Sequence, residues 1–250
     1  MARFATLAYG AVVYVFFLAT FLYAIGFVGN LLVPKSIDSG AAAPLAEALI
    51  VNVLLLGLFA VQHSVMARPA FKRMWTKIVP KAAERSTFVL FASAILALMF
   101  WQWRPLPATI WSVADPLWST VLWALFAAGW AIVLISTFLI NHFDLFGLAQ
   151  AYNHFRNRES SAPSFVTPLF YQHVRHPIYL GFILAFWATP VMSMGHLLFA
   201  IATTGYILVG IFFEERDLVA LFGERYRQYT RDVGMLVPKL KLGGKTTKQA

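Results

Sequence analysis

RHPIYLGFILAFWATPVMSMGHLLFAIATTGYILVGIFFEER, Arg175 to Arg216, is the stretch on which the fold of this chain turns. Charge brackets it at both ends, and the interior divides into two apolar runs, Ile178–Val191 and His196–Phe213. Thr189-Pro190 to Gly195 between them is a turn-like break. The stretch is therefore either one crossing or a hairpin that crosses and returns. Each arm of such a hairpin is short against the ~20 residues a membrane span needs.

The rest of the chain decides between them. Of its 250 residues 60% are hydrophobic and 12% charged, with a mean hydropathy of +0.68. Soluble domains are about 45–50% apolar and about 25% charged, so this is an integral membrane protein. Four further apolar segments precede the hairpin: Phe4–Val33, Leu45–Met66, Ser86–Trp103 and Leu117–Ile140. The first is too long for a signal-peptide core and lacks a small-residue cleavage site. Cysteine is absent, which excludes disulfides, thiolate nucleophiles and cysteine-based metal sites. Histidine spacing offers no metal motif either, so no metal is expected.

A net charge of +9 would suggest nucleic acid in a soluble protein, but its distribution suggests none here. Arg3, the Arg68–Arg85 group, Arg156, Arg158, Arg175 and the residues from Arg216 onward fall on one side if the segments alternate; only Lys35 and Arg104 fall opposite. The positive-inside rule then puts both ends in the cytoplasm, which requires 178–213 to cross and return. The expected fold is all-α: a polytopic membrane helix bundle of five to six transmembrane segments, the last two a hairpin, in a bacterial inner membrane. A single domain, 1–250, comprises N-terminal helices (1–140), a polar cofactor-binding loop, hairpin and C-terminal segment (141–238) and a basic tail (239–250), KLKLGGKTTKQA, that reads as a frayed or lipid-facing end.

Five of the six histidines, His63, His142, His154, His173 and His176, gather at the cytoplasmic face with Asp144, Arg175, Glu214 and Glu215. Ionisable groups at membrane depth are costly and commonly line a cavity or pathway. Each cluster also has an ordinary reading. Arg175 to Gly181 is either a cationic anchor opening a helix at Pro177, or a site that uses the free backbone donors of that helix start. Glu214 and Glu215 either continue a solvated helix or bind hydroxyls, a cation or Arg175. His142 and Asp144 are too close in sequence to share a helix face, yet converge in an irregular exit, where Asp144 can orient His142 as a base. His63, beside Ser64 and five residues before Arg68, is a buried polar residue or faces the same site.

RHPIYLG, then about 30 apolar residues, then EERDLVALFGERYRQY and a V-x-x-x-x-P end, together resemble the isoprenylcysteine carboxyl methyltransferase and NnrU-like membrane methyltransferases. That likeness covers roughly Ser164 to Pro238. Over nearly the whole chain, VQHSVMARPAFK, AAERSTFVLFAS, FWQWRP, NHFDLFGL and AFWATPVMSMGHLLFA resemble the bacterial methanethiol S-methyltransferases, which make dimethyl sulfide. The resemblance implies an S-adenosylmethionine site at the cytoplasmic face, on Phe165, Val166, Tyr171, His176, Pro177, Ile178, Tyr179 and Glu214. Arg175 and Gly181 belong to the same motif, His173 and Glu215 adjoin it, and Tyr226 and Tyr229 match its closing aromatics. The family's preceding glutamine has two candidate counterparts, Gln150 and Arg156.

The implied reaction is in-line: a small thiol's sulfur takes the methyl of a sulfonium and leaves S-adenosylhomocysteine. An alkyl thiol is mostly protonated at neutral pH, so a base or a stabilising cation is needed. The candidates are His142 oriented by Asp144, with His63, Arg68 or Arg175 stabilising the thiolate. Competing expectations are carboxyl O-methylation of a prenylcysteine, an NnrU-like protein without thiol turnover, a transporter, and a nicotinamide-dependent reductase with the same hairpin.

Overall fold

Apolar runs with few charges can satisfy their backbone in lipid only as helices, and helices dominate the chain. The computed structural model describes residues 1–159 and 165–239; the tail beyond Lys239 lies outside them. In chain order the elements are α1 (Ala2–Gly29), α2 (Leu45–Ala67), a short α3 (Pro69–Trp75), α4 (Lys81–Gln102), β1 (Thr109–Ser112) and α5 (Pro116–Ile140). There follow two short helices, α6 (His142–Leu145) and α7 (Leu148–Phe155), and a 3₁₀ turn, Leu169–Gln172. The hairpin is α8 (Pro177–Trp187), β2 (Val191–Ser193) and α9 (Met194–Phe222), and α10 (Glu224–Asp232) closes the described chain. α1, α2, α4, α5 and α9 are each long and apolar enough to cross a membrane, making this a multi-pass membrane bundle.

Each end has a local cause. Asp115 caps α5 by accepting from Trp118 N at 3.0 Å, and Pro116 supplies a preset first turn. Left-handed residues end two spans: Asn30 (φ 54) after α1 and Asn141 (φ 102) after α5. Pro177 opens α8, and Pro190 disfavours helix at Thr189.

α8 has only 11 residues, about 16 Å at 1.5 Å per residue, roughly half the ~30 Å of a bilayer core. Extended chain supplies the remainder. β2 pairs antiparallel with β1 across a bulge, with Ser112 opposite Val191 and Trp111 opposite Met192. Met194 N and Gly195 N donate to Ala108 O and Leu106 O at 2.8 and 3.0 Å. The bend is thus seated on the α4–α5 connection, at the end opposite His176. α8 and its extended continuation thus reach the level of the α4–α5 connection, and α9 returns to the end that holds His176; the strand pair at the bend was not foreseen.

α8 lies antiparallel on α5 with backbone touching backbone. A Cβ at Gly129 would come within 2.6 Å of Ala185 N, and one at Gly181 within 2.6 Å of Gly129 O. Small residues permit such approaches between membrane helices. Phe27, Phe100, Trp103, Phe126, Trp130, Phe186 and Phe199 form the core between α1, α4, α5, α8 and α9. Trp101, Trp103, Trp111 and Trp118 gather around one connection, where tryptophans would be expected as interfacial anchors, and Trp103 does not serve as one. Instead it is wholly buried, and its Nε1 donates to Ile37 O at 3.1 Å.

Candidate active site

The return of α9 to the basic end sets Glu214 and Glu215 beside the start of α8. Glu215 Oε1 accepts from Arg175 Nε at 2.7 Å and from His176 Nε2 at 3.0 Å. Arg175 also donates to the carbonyls of Thr230 and Val233. Its backbone N donates to Gly234 O at 2.8 Å, and His176 N to Met235 O at 3.2 Å. Val174 and Gly234 form a parallel bridge. The polar segment before α8 and the segment after α10 are therefore clamped together, with Glu215 at the centre.

That clamp occupies the Arg175 guanidinium. Its Nε and Nη1 are engaged by one carboxylate and two carbonyls, so it ties the motif to the C-terminal segment. Glu214 is used differently. One oxygen, Oε2, accepts from Tyr179 OH at 2.7 Å, while no described residue donates to Oε1. Glu215's charge is balanced by Arg175; Glu214's is left over.

Around this carboxylate stands a set of phenols. Phe165 lies edge-on to Tyr226 and Tyr229, with ring centroids 5.9 and 5.3 Å apart, and packs on Phe222 at 5.3 Å. Arg225 covers the Phe165 ring at 5.0 Å. Tyr229 OH donates to Tyr171 O, and Tyr171 OH reaches toward Ser136 O at 3.5 Å. Burial pushes the Tyr229 phenol up to about 12, against the opposing pull of Arg175. Burial also raises Tyr171, helped by the charge of Glu214, and raises Tyr226, helped by Glu215. All three are neutral donors at neutral pH. The Tyr226 hydroxyl and Ser136 Oγ are buried with no hydrogen-bond partner among the described residues.

Other expected site residues stand elsewhere. Val166 is exposed, and His173 is exposed with Nδ1 against Leu169 O at 3.2 Å. Pro177 and Gly181 are buried against neighbouring helices, so they shape the helix start and its packing; Ile178 is half-buried.

His142 is held on both nitrogens. Thr137 Oγ1 donates to Leu134 O at 2.7 Å, which leaves its lone pairs facing His142 Nδ1 at 2.8 Å. The proton therefore sits on Nδ1, and Nε2 accepts from Tyr14 OH at 2.8 Å. Phe138 stacks on the ring, centroids 4.1 Å apart. Burial lowers the imidazole below its ordinary value, so it is neutral at neutral pH. Asp144, expected as its orienter, accepts instead from Asn141 Nδ2, because the left-handed turn at Asn141 directs the carboxylate back along the chain.

His63 is likewise paired across the bundle, its Nδ1 2.8 Å from Tyr206 OH on α9. Arg68 binds Asp217 at 3.4 Å and covers Phe213 at 4.3 Å, and so is anchored rather than free. Three polar side chains that the motifs did not indicate, Tyr14, Thr137 and Tyr206, thus hold the two inner histidines. The available signal was a hydroxyl inside an apolar run: a buried tyrosine needs a partner.

The chain matches no protein-family model and no solved structure. Relatives of known name cover almost all of it. The methanethiol S-methyltransferase of Mycobacterium tuberculosis is 58% identical over 238 residues, 95% of this chain and 98% of that protein. The chain belongs to the methanethiol S-methyltransferase family. Methanethiol S-methyltransferase 1 of Bradyrhizobium diazoefficiens is 59% identical over 236 residues, 94% of this chain and 83% of its own length. The protein of that name from Crocosphaera subtropica is 54% identical over 238 residues, 95% and 93% of the two chains. The similarity to these methyltransferases spans the hairpin and both segments clamped by Glu215, so the site described above lies within it.

Proposed function

We propose that this chain transfers a methyl group from S-adenosylmethionine to methanethiol, releasing dimethyl sulfide and S-adenosylhomocysteine at the cytoplasmic end of a bacterial inner-membrane bundle. The observation that carries the reading is 58% identity across 95% of the chain to a methanethiol S-methyltransferase. The basic charges, gathered at the end of the bundle that holds Arg175, support the cytoplasmic assignment.

The residues present suit such a ligand. A sulfonium is a cation, and aromatic faces and an unbalanced carboxylate both attract one. Phe165, Tyr171, Tyr226 and Tyr229 supply the faces, and Glu214 the charge. The free Glu214 Oε1 can accept from hydroxyl or amino groups of the ligand. The orphaned Tyr226 and Ser136 hydroxyls are unmet demands that a ligand rich in donors and acceptors would satisfy. Bound there, S-adenosylmethionine supplies a methyl group activated by the positive charge on its sulfur.

The chain's own contribution is closure and orientation. Arg175, His176 and Glu215 draw the C-terminal segment onto the start of α8 and exclude water from the space between. A drier site favours a reaction in which a thiolate and a sulfonium lose their charges together. Among the described residues no group of three or more His, Asp or Glu stands close enough to hold a metal ion.

The test is direct. Purified protein given S-adenosylmethionine and methanethiol should release dimethyl sulfide into the headspace; none released, with intact cofactor binding, would overturn the reading. Glu214→Gln should keep the fold and weaken S-adenosylmethionine binding about tenfold or more, as expected for a hydrogen bond to a charged group worth roughly 1.5–3 kcal/mol.

A further inference from the structure

Between the start of α4 and the short α7, at the basic end of the bundle, lies a cavity of about 220 Å³. Lys81, Ala82, Gln150, His154 and Arg158 line it, so it shares no residue with the Glu215 clamp or the Glu214 group. Every ionisable side chain in that lining is basic. Helical spacing explains the grouping: Gln150 and His154 are four apart on α7 and share a face. Arg158 follows four residues later, its backbone N donating to Asn153 O at 2.8 Å as the chain leaves the helix. Gln150 Nε2 donates to Asp144 O at 3.0 Å and seats that face on α6. Across the cavity Lys81 opens α4, and Pro80 before it supplies no capping side chain. The N–H groups of Lys81 and Ala82 therefore have no partner within their helix.

Arg68, Arg104, Arg175, Arg227 and Arg231 each pair with a carboxylate. Among the described residues no carboxylate pairs with Lys81, His154 or Arg158. Glu84, the acid in the first turn of α4, stands beside Lys72 and Arg85, and Glu159 is exposed. The lining thus keeps positive charge that an incoming anion would meet. Its place in the bundle says which anion. α4 is one of the helices long enough to cross a membrane and Lys81 is its first residue, so the cavity stands where that span meets the headgroups. Ile78, just before α4, is 77% exposed, and Tyr152 and Phe155 of α7 are 46% and 39% exposed. Uncovered apolar and aromatic side chains at that level suit acyl chains and the interface. A basic cavity beside them suits a phosphate carried by a lipid.

We propose that this cavity binds the phosphate group of an anionic phospholipid of the cytoplasmic leaflet. Arg158 offers a planar fork to the phosphate oxygens and Lys81 a point charge. The two free N–H groups at the head of α4 are further donors to the same anion. The acyl chains run along Ile78 and the exposed aromatics of α7. A zwitterionic headgroup would bring an ammonium into a wholly basic lining, which selects against it. The proposal needs the cytoplasmic placement of this end but no feature of the methyl transfer.

The test places the full chain in phosphatidylcholine nanodiscs with a trace of spin-labelled lipid and measures the fraction the protein immobilises. Spin-labelled phosphatidylglycerol should associate about tenfold more strongly than spin-labelled phosphatidylcholine. Lys81→Ala with Arg158→Ala should reduce that preference to about twofold or less, whereas Lys81→Arg with Arg158→Lys should keep it. Arg73→Ala with Lys77→Ala removes equal charge from nearby residues outside the lining and should leave most of the preference in place. Inorganic phosphate, added at constant ionic strength, should not displace the lipid. No preference in the wild type overturns the proposal. Equal losses in the two alanine pairs reduce it to a diffuse surface potential and overturn the cavity as a site. Displacement by inorganic phosphate assigns the cavity to the free anion and overturns the lipid.

Discussion

The two ends of the hairpin each bury a histidine at a helix start, and they use it oppositely. At the far end His196 Nε2 donates to Phe186 O at 2.9 Å, and its backbone N to Ser193 Oγ at 3.0 Å. Its surroundings are a strand pair, a cap and the Asp38 carboxylate that accepts from Ser193. Polar demand there is met mainly by backbone, leaving His196 Nδ1 alone without a partner in that corner. At the near end His176 meets a carboxylate from the opposite arm, and Glu214 keeps an oxygen to which no described residue donates. A hairpin end built on backbone bonds is a fixture; one with a spare carboxylate oxygen and orphaned hydroxyls has hydrogen bonds left to offer.

That contrast can be broken most forcefully at Glu215. Its side chain is 24% exposed and that of Arg175 10%, so Glu215→Ala strands a nearly buried guanidinium. A loss of about 3 kcal/mol or more is expected, read as a lower melting temperature in detergent together with loss of S-adenosylmethionine binding. A variant that melts like wild type would show that the near end is not clamped. Ser193→Ala probes the far end. Losing the cap should cost about 1 kcal/mol and leave cofactor affinity untouched; a matching fall in affinity would erase the distinction between the ends.

The smallest effect concerns His142. Burial holds its folded value below the ordinary 6.5, so between those two values the unfolded chain binds more protons than the folded one. The stability it contributes is complete above 6.5 and declines as the pH falls through the window below. Melting followed from about pH 7.5 down to about pH 5.5 should flatten in His142→Gln relative to wild type. An unchanged slope would mean that the ring held by Tyr14 and Thr137 titrates as if in water.

Much of this architecture was legible before any coordinates. The return of 178–213 followed from the positions of Arg3 and the basic residues after Arg216, because electrostatics of insertion acts on composition and needs no geometry. The end of α8 was visible in Thr189-Pro190. β1 and β2 were not, since strands of three and four residues carry no periodicity, and Trp111 passes for an interfacial aromatic. Within the site, the order of Arg175, His176, Glu214 and Glu215 located the cluster but not the pairing. Which carboxylate Arg175 takes depends on the rotation of α9, and only one residue of phase separates the two. Tyr206 and Tyr14, which hold His63 and the Nε2 of His142, lie 143 and 128 residues away, a distance that no local pattern reports. Asp144 was misplaced because spacing alone does not reveal the left-handed turn at Asn141.

The shortness of α8 has a consequence for how the protein is made. An 11-residue apolar helix falls below the ~18–20 residues that a membrane takes up as a span by itself. Its extended continuation carries backbone groups that hydrocarbon cannot satisfy and that β1 must pair. α8 therefore has no stable resting place until α5 presents Gly129, β1 presents its edge and α9 follows from the ribosome. The hairpin enters as a pair onto a finished N-terminal bundle, and the near-end site is the last part of the molecule to exist.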